Sequence, residues 1–309
     1  YKKQVRLLLD VLPDVAKEKC FAMHGGTAIN LFVRNMPRLS VDIDLTYIKI
    51  AERSETLDDI NASLLRIKER IATVRPSINI LHKADVCKLL IDEKGATIKI
   101  EVNMVNRGLL AESKKMMLCD KAQEEFDVFC TLPIVPMAQL FGGKICAALD
   151  RQHPRDLFDV KLLLDNEGLT DEIKHGFVFS LVSSNRPTHE MLNPHLQDQR
   201  KAFEQQFKGM SKHAFSYDDY EVTRQKLIST LNVCLNDQDK AFLLSLNRLE
   251  PDWSIYDYQD FPSVKWKLFN LKKFKTEKPE SYQKQLHDLQ RLLGLGFGNK
   301  VQSRHEKSV

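Results

Sequence analysis

The sequence predicts a mixed α/β (α+β) sheet domain over residues 1–136, followed by a helical domain over residues 137–295. The chain has 309 residues, which fits one large or two medium domains. Up to Pro136, short strand-like runs are interspersed with helical patterns. Beyond Pro136, apolar residues recur almost only at helical spacing. Residues 296–309 follow a glycine-rich stretch and are expected to form a flexible tail.

The first domain begins with an amphipathic helix from Val5 to Lys19, which we expect to be interrupted or redirected near Pro13. The segments that follow alternate between strand and helix. In order, they are an apolar strand at 21–23, a glycine turn at 25–26, a helix at 27–34, a strand at 40–50, a helix at 55–72, and strands at 77–81, 86–92 and 97–103. Residues 93–96 have the composition of a hairpin turn.

The second domain is predicted to be almost entirely helical. Its expected helices cover residues 137–150, 155–166, 170–184, 189–207 and 218–235, with two or three more between 239 and 293. We find no repeat of fixed period and no low-complexity tract in the sequence. The prediction is therefore a helical domain without a repeat.

The composition is that of an ordinary globular protein, with 43% hydrophobic and 28% charged residues. No apolar run approaches the roughly 20 residues that a membrane-spanning helix needs, so no membrane partner is expected. The six cysteines are scattered, without zinc-site spacing, which favours a reduced cytoplasmic location. Because the first residue is Tyr1 rather than Met, we expect a fragment or processed form, and a removed targeting segment stays open.

The positive charge is concentrated near the C-terminus. Residues 265–309 hold eleven Lys or Arg against four Asp or Glu, a balance of +7, whereas the first 264 residues carry −3. Such asymmetry can attract a polyanion, although a solvated helical face explains any single cluster equally well.

Two aspartates on one predicted strand are the first candidate functional residues. Asp42 and Asp44 share one strand face, while Ile43 and Leu45 point into the core. Close carboxylates repel unless a cation lies between them, and oxygen ligands suit Mg²⁺ or Mn²⁺. The pair therefore has the character of half of a metal site. By itself this is weak evidence, because an acidic pair on a strand edge is more commonly only solvated.

The turn at Gly25 and Gly26 lies between an apolar strand and a helix. Missing Cβ atoms let backbone N–H groups approach a phosphate, and the N-terminus of a helix favours negative charge. Thr27 adds a hydroxyl at this point. A Gly-Gly pair is more often only a turn, so this element also carries little by itself.

Taken together, a Gly-Gly turn followed by an Asp-x-Asp strand resembles the signature of the nucleotidyltransferase superfamily. Several spaced blocks across residues 20–165 are more closely similar to the AbiEii/MenT group of toxin nucleotidyltransferases. These blocks are Gly25-Gly26-Thr27-Ala28, Arg38, Ser40, Asp42-Ile43-Asp44, and Lys144…Arg151…Arg155-Asp156-Leu157-Phe158-Asp159. The helical remainder carries no motif that adds to the resemblance.

The resemblance implies a nucleotidyltransferase-like sheet domain and a helical domain that completes the active site and offers a surface to the acceptor. The implied catalytic residues are Asp42, Asp44, Lys144, Asp156 and Asp159. The implied nucleotide-binding residues are Gly25, Gly26, Thr27, Arg38, Ser40, Lys144, Arg151 and Arg155. Lys144 would grip the triphosphate, while Asp156 or Asp159 would organise the site. Judged from their position alone, Asp156 and Asp159 near the start of a helix would simply complement the helix dipole.

A third metal ligand is expected from a later strand, as in many members of the superfamily. Glu101 shares a face with Lys99 and Asn103, opposite three apolar residues. An alternating pattern alone equally predicts a solvent-exposed Glu101. Asp85 and Asp92 are weaker alternatives.

The activity implied by the resemblance is that of a metal-dependent toxin of a toxin–antitoxin or abortive-infection system. It would transfer a nucleotide from an NTP to an RNA acceptor such as the tRNA 3′ end, releasing pyrophosphate. A cognate antitoxin is an implied partner. Two alternatives stay open, namely nucleotidylation of a protein or small molecule and a non-catalytic nucleotide-binding or partner-binding module. The sequence has no HExxH motif, which disfavours a zinc hydrolase. It also has no P-loop or GxGxxG motif, which disfavours a P-loop or Rossmann nucleotide site.

Overall fold

The computed structural model describes residues 1–294, and the predicted flexible tail at 296–309 lies outside this range. In the described part, seven strands form one mixed sheet. They are β1 (Phe21–His24), β2 (Asp42–Tyr47), β3 (Asn79–Lys83), β4 (Lys88–Glu93), β5 (Ala96–Asn103), β6 (Lys114–Met117) and β7 (Thr131–Ile134). Their order across the sheet is β3-β4-β5-β2-β1-β7-β6. The pairs β2–β5 and β1–β7 are parallel, and the other neighbours are antiparallel.

Four helical segments accompany the sheet. They are α1 (Lys2–Val15), α2 (Gly25–Ala28, continued as a π turn at Ile29–Val33), α3 (Arg53–Val74) and α4 (Asp120–Phe126). Helix α1 packs on β5, α3 packs on β3 and β4, and the two helices contact each other. Alternate residues of β2 and β5, such as Ile43 and Ile100, are fully buried. The alternation predicted for these strands is therefore confirmed.

The first helix is not interrupted at Pro13, and it ends before the predicted Lys19. Helix α1 runs without interruption to Val15 and ends only two residues beyond Pro13. A proline inside a helix removes a backbone hydrogen bond. Leu8, Leu9 and Leu12 are completely buried on the same helix, and their burial offsets that loss.

The sequence did not reveal β6, α4 and β7, which precede Pro136. Strand β6 shows no alternation of buried and exposed residues, and β7 is short and contains Pro133. Strand β7 pairs with β1 through Met23 and Ile134, across more than a hundred residues of chain. Pairing at that separation is decided by packing and leaves no local pattern.

Between Pro136 and Gly294 the chain is mainly helical, as predicted. Its helices are α5 (Met137–Arg151), α6 (Pro154–Asn166), α7 (Asp171–Val182), α8 (Thr188–Leu192), α9 (Arg200–Ala202, continued as a π turn at Phe203–Phe207), α10 (Tyr217–Cys234), α11 (Asp237–Asn247), α12 (Pro262–Glu277) and α13 (Pro279–Leu292). The single helix predicted over 189–207 is wrong, because Asn193 leaves the helical conformation directly before Pro194. Proline disfavours a helical conformation at the residue that precedes it.

Helices α5 and α7 pack at unusually close range and form the base of the helical part. A Cβ added at Gly142 would lie 2.2 Å from the carbonyl carbon of Gly176. Both glycines are therefore needed for the approach of the two backbones. Helix α5 also contacts α2, which joins the helical part to the sheet at the glycine turn. Within residues 1–294, no helix combines the length and apolarity needed to cross a bilayer.

Candidate active site

The two candidate aspartates lie on β2, in the middle of the sheet. Asp42 and Asp44 are half-buried, whereas Ile43 and Leu45 between and after them are buried. In the parallel pairing with β5, Asp42 lies opposite Lys99 and Asp44 lies opposite Glu101. The predicted common face of the two carboxylates is confirmed by this register and by their shared position in one cleft.

The glycine turn packs directly against Asp44. Strand β1 ends at His24, which is paired with Asp44, and α2 begins at Gly25 with a φ of +76°. A Cβ added at Gly25 would lie 2.6 Å from Oδ2 of Asp44. Glycine is therefore required here both for the left-handed backbone and for the approach of the carboxylate.

Arg38 and Ser40 lie beneath the second glycine of the turn. A Cβ added at Gly26 would be 2.8 Å from Nη2 of Arg38 and 3.1 Å from Oγ of Ser40. Thr27 is buried, and its hydroxyl donates to the Asp42 carbonyl and is hydrogen-bonded to Ser40 Oγ at 3.0 Å. Side-chain hydrogen bonds thereby connect the glycine turn to β2 and to the loop that precedes β2.

A buried ion network links this loop to the helical part. Asp159 is completely buried and accepts two hydrogen bonds from Arg38, at 2.8 and 2.6 Å. The Lys144 ammonium is 3.1 Å from Asp159 and 2.8 Å from Asp156. The partly exposed Arg151 reaches the other oxygen of Asp156 at 2.7 Å. The network thus contains three cations, Arg38, Lys144 and Arg151, and two carboxylates, so its net charge is +1.

The pKa values of Asp156, Asp159 and Lys144 are shifted in the direction that favours their ionised forms. Burial alone raises the pKa of the Asp156 carboxyl, but Lys144 and Arg151 outweigh it and hold that pKa well below its usual range. The pKa of Asp159 is lowered in the same way by Arg38 and Lys144, again against the effect of burial. Burial lowers the pKa of the Lys144 ammonium, whereas the two aspartates raise it above its ordinary value.

Asn30 belongs to this site and was not found from the sequence. Its side-chain nitrogen donates to Asp159 Oδ1 at 3.0 Å and to the Gly26 carbonyl at 2.9 Å. Asn30 is fully buried between Ile29 and Leu31. A polar residue at helical spacing from the glycine turn, inside an apolar run, is the signal that could have indicated it.

Glu101 is engaged by lysines on both sides. Its Oε2 atom is 3.1 Å from the Lys88 ammonium and 3.3 Å from the Lys99 ammonium. Burial raises the pKa of Glu101, but these two lysines outweigh it and lower the pKa. Lys99 also lies 3.9 Å from Asp42. The role of Glu101 as a third metal ligand stays a prediction.

The two aspartates have the chemistry of a partial site for a divalent ion. Burial raises the pKa of Asp42, Lys99 opposes the rise, and Asp44 adds to it. Half-buried carboxylates on one strand face gain from a cation between them. In the described residues, no three His, Cys, Asp or Glu side chains are gathered at metal-binding distance. The oxygen atoms of the pair are ligands of the kind that Mg²⁺ takes, an ion that also keeps waters and shares phosphate oxygens.

A cleft of about 540 Å³ opens over these residues, between the sheet and the helical part. Of the sequence-predicted residues, ten line the cleft: Gly25, Gly26, Arg38, Ser40, Asp42, Asp44, Lys144, Arg151, Arg155 and Asp156. Thr27, Glu101 and Asp159 contact lining residues without lining the cleft themselves. The far wall was not predicted and includes Ser180 and Ser183 from α7 and the adjoining turn.

His24 lies at the strand end beside the turn and lines the cleft. Its Nδ1 atom is 3.0 Å from Thr46 Oγ1. Burial lowers the pKa of His24, Asp44 opposes this effect, and Lys144 adds to it. The imidazole is hydrogen-bonded to a residue of the neighbouring strand β2.

Comparison with known proteins places these features in one family. The model of the AbiEii nucleotidyl transferase toxins of type IV toxin–antitoxin systems matches residues 6–270. The fold is similar to that of MenT4, a nucleotidyltransferase toxin of Mycobacterium tuberculosis H37Rv, with a TM-score of 0.58 and 16% sequence identity. That similarity covers 86% of this chain and 93% of the MenT4 chain. No curated protein sequence matches the chain.

Proposed function

The chain belongs to the AbiEii family of nucleotidyltransferase toxins, and from this premise we propose that it transfers a nucleotide from an NTP to an RNA. The acceptor end we propose is a 3′ hydroxyl such as that of tRNA, with pyrophosphate as the second product. The observation that carries the proposal is the position of Asp42 and Asp44 on the cleft side of a central strand. Asp44 there packs against a glycine turn, and Lys144 and Arg151 line the same cleft.

Asp42 and Asp44 are the residues that would hold the divalent ion, with Glu101 as a further candidate. When bound, Mg²⁺ or Mn²⁺ would supply a Lewis acid that stabilises charge on the α-phosphate and the leaving pyrophosphate. The half-buried position of both aspartates supports this assignment, because ionised carboxylates in such surroundings gain from a counter-charge.

The chain's own groups bind and orient the phosphates. Gly25 and Gly26 line the cleft at the beginning of α2, and we assign their backbone N–H groups to the phosphates. Lys99, Arg151 and Arg155 also line the cleft and bring positive charge to it. The ammonium of Lys144 is already bonded to two aspartates, so we assign it a neutralising role at the cleft wall.

The transfer itself requires an in-line displacement at the α-phosphorus. The acceptor hydroxyl oxygen forms a bond to phosphorus while the bond from phosphorus to the pyrophosphate oxygen breaks. The hydroxyl proton passes to a carboxylate oxygen of the aspartate pair. The structure supports this assignment because both carboxylates line the same cleft as the glycine turn.

The decisive test is Asp44→Asn in the full chain, incubated with α-labelled NTP, Mg²⁺ and total RNA. The variant should remain folded by circular dichroism and lose label transfer and any growth inhibition. Asp58→Asn is a matched control, since Asp58 is exposed and does not line the cleft. Full activity of Asp44→Asn would remove the metal-site proposal.

The acceptor class is tested by offering total RNA and total protein separately. Label in the RNA fraction is expected, and label only in protein would instead establish a nucleotidylating enzyme of the same fold. Binding of NTP without pyrophosphate release would establish a non-catalytic module. The cognate antitoxin is a proposed partner, tested by its relief of growth inhibition.

A further inference from the structure

Helix α12 presents two aromatic rings to solvent. Trp266 is 46% exposed and Phe269 is 57% exposed, although side chains of this size are usually largely buried. Their ring centroids are 5.5 Å apart and the ring planes differ by only 16°. The two side chains, three residues apart on the helix, therefore stack on each other, and the rest of their ring surface is open to solvent.

Exposed lysines surround this surface. Lys265, Lys272 and Lys273 lie within one or two helical turns of Phe269 and are all exposed. Helix α12 as a whole contains five lysines and a single acidic residue. The ion pairs of Lys265 with Asp260, at 3.3 Å, and of Lys273 with Glu277, at 3.8 Å, are solvent-exposed and weak. We call these two rings and three lysines the α12 platform.

The opposite face of α12 is hydrogen-bonded to the segment that follows α7, which includes two residues of the cleft lining. Lys267 is buried, and its ammonium donates to the Ser184 carbonyl at 2.7 Å and to the Arg186 carbonyl at 2.6 Å. Ser263 donates to Ser183 at 2.9 Å. Ser183 and Ser184 both line the cleft. The platform is thus the outer surface of a helix that is rigidly attached to the candidate active site.

We propose that the α12 platform binds unpaired nucleotides of the RNA acceptor, an inference that rests on the proposed function. Aromatic side chains within a positively charged surface are the combination that binds single-stranded nucleic acid, because every base has a face that can stack. Protein interfaces also use exposed aromatic residues, but lysine is depleted from them. In a duplex the bases already stack on one another, so the platform favours single strands.

The test uses the full chain and measures the dissociation constant by fluorescence anisotropy. The probes are a fluorescein-labelled single-stranded RNA oligonucleotide and the blunt duplex that it forms with its complement. We expect the single strand to bind at least about ten-fold more tightly than the duplex. Binding should quench the tryptophan fluorescence, and Trp266→Phe should keep the affinity while losing most of the quenching.

The double variant Trp266→Ala/Phe269→Ala should weaken single-strand binding by about ten-fold or more. Phe129→Ala is the matched control, because Phe129 is 72% exposed and lies in the sheet part of the chain. Lys272→Ala/Lys273→Ala should reduce the slope of log affinity against log salt by roughly 1.4, about 0.7 for each charge removed. Unchanged affinity in both double variants would overturn the proposal.

Two further outcomes are also decisive. If Trp266→Ala/Phe269→Ala abolishes self-association in sedimentation and leaves RNA affinity unchanged, the platform is an interface between copies and the proposal is wrong. If the wild-type chain labels RNA and the double variant labels it with the same KM for RNA, the platform fails while the proposed function stands. Absence of label with the wild-type chain, despite single-strand binding at the platform, would reject the proposed function alone.

Discussion

The contact between the glycine turn and Asp44 gives the sharpest test of the candidate site. In Gly25→Ala, the new Cβ would lie 2.6 Å from Oδ2 and 3.2 Å from Cβ of Asp44. The carboxylate must move away, because carbon and oxygen atoms do not approach so closely without a bond. The substitution thus displaces a candidate metal ligand without changing its chemistry.

The size of the effect follows from two separable contributions. A residue with a Cβ at a φ of +76° costs about 1–2 kcal/mol of stability. Gly95 has a φ of +77° and nothing within 4 Å of an added Cβ, so Gly95→Ala measures that strain alone. A displacement of about 1 Å in an active site can lower the rate about 100-fold. We expect that loss in Gly25→Ala and near wild-type transfer in Gly95→Ala.

The assay is transfer of label from α-labelled NTP to RNA, with unfolding by urea measured on the same samples. Both variants should lose similar stability, which shows that the activity difference arises at Asp44. If Gly25→Ala retained transfer within two-fold of Gly95→Ala, the observed position of Asp44 would not matter for the reaction, and the reasoning would be refuted.

Three further predictions concern the walls of the cleft. Gly143→Ala should raise the free energy of unfolding in urea by up to about 1 kcal/mol, because the added Cβ meets nothing within 4 Å. Gly142→Ala beside it should unfold the α5–α7 helix pair or lower the free energy of unfolding by several times that amount. Equal effects of the two substitutions would contradict the α5–α7 packing. Asp159→Asn should destabilise the chain by about 3–5 kcal/mol in the same assay, because a buried guanidinium loses its counter-charge, and a loss below about 1 kcal/mol would disprove the burial of the pair. Because the pKa of Asp156 is lowered in the folded chain, this carboxylate stabilises the fold above its unfolded pKa of about 3.9, and the stabilisation is lost as the pH falls further. In Asp156→Asn the free energy of unfolding should therefore depend less on pH below about pH 4. An unchanged pH dependence in that range would exclude this contribution.

Most of the local structure near the site was predictable from the sequence. The alternation around Asp42 and Asp44 predicted both the strand and the face that they share, because side chains in a strand have a period of two. The helical spacing of Asp156 and Asp159 likewise placed both on one side of α6, where both contact Lys144. The expected helix at 189–207 is wrong because Pro194, near its beginning, disfavours a helical conformation at Asn193.

The tertiary contacts of the site could not be read from local patterns. Arg38 and Asp159 are separated by 121 residues, and nothing in either segment indicates that the other is its partner. Asn30, between two apolar residues, gains its meaning only from the buried carboxylate that it contacts. The lysines that engage Glu101 belong to β4 and β5, so its surroundings depend on the strand order.

The sequence by itself determined the family, the sheet-then-helix organisation and the acidic pair beside a glycine turn, because these depend on residue type and on short-range periodicity. The tertiary structure alone decided which charges are neutralised, which residues line the cleft, and that an exposed aromatic pair lies on a helix anchored to the cleft wall. Those properties depend on burial and on distances between remote segments, and only the packing of the sheet against the helical part fixes them.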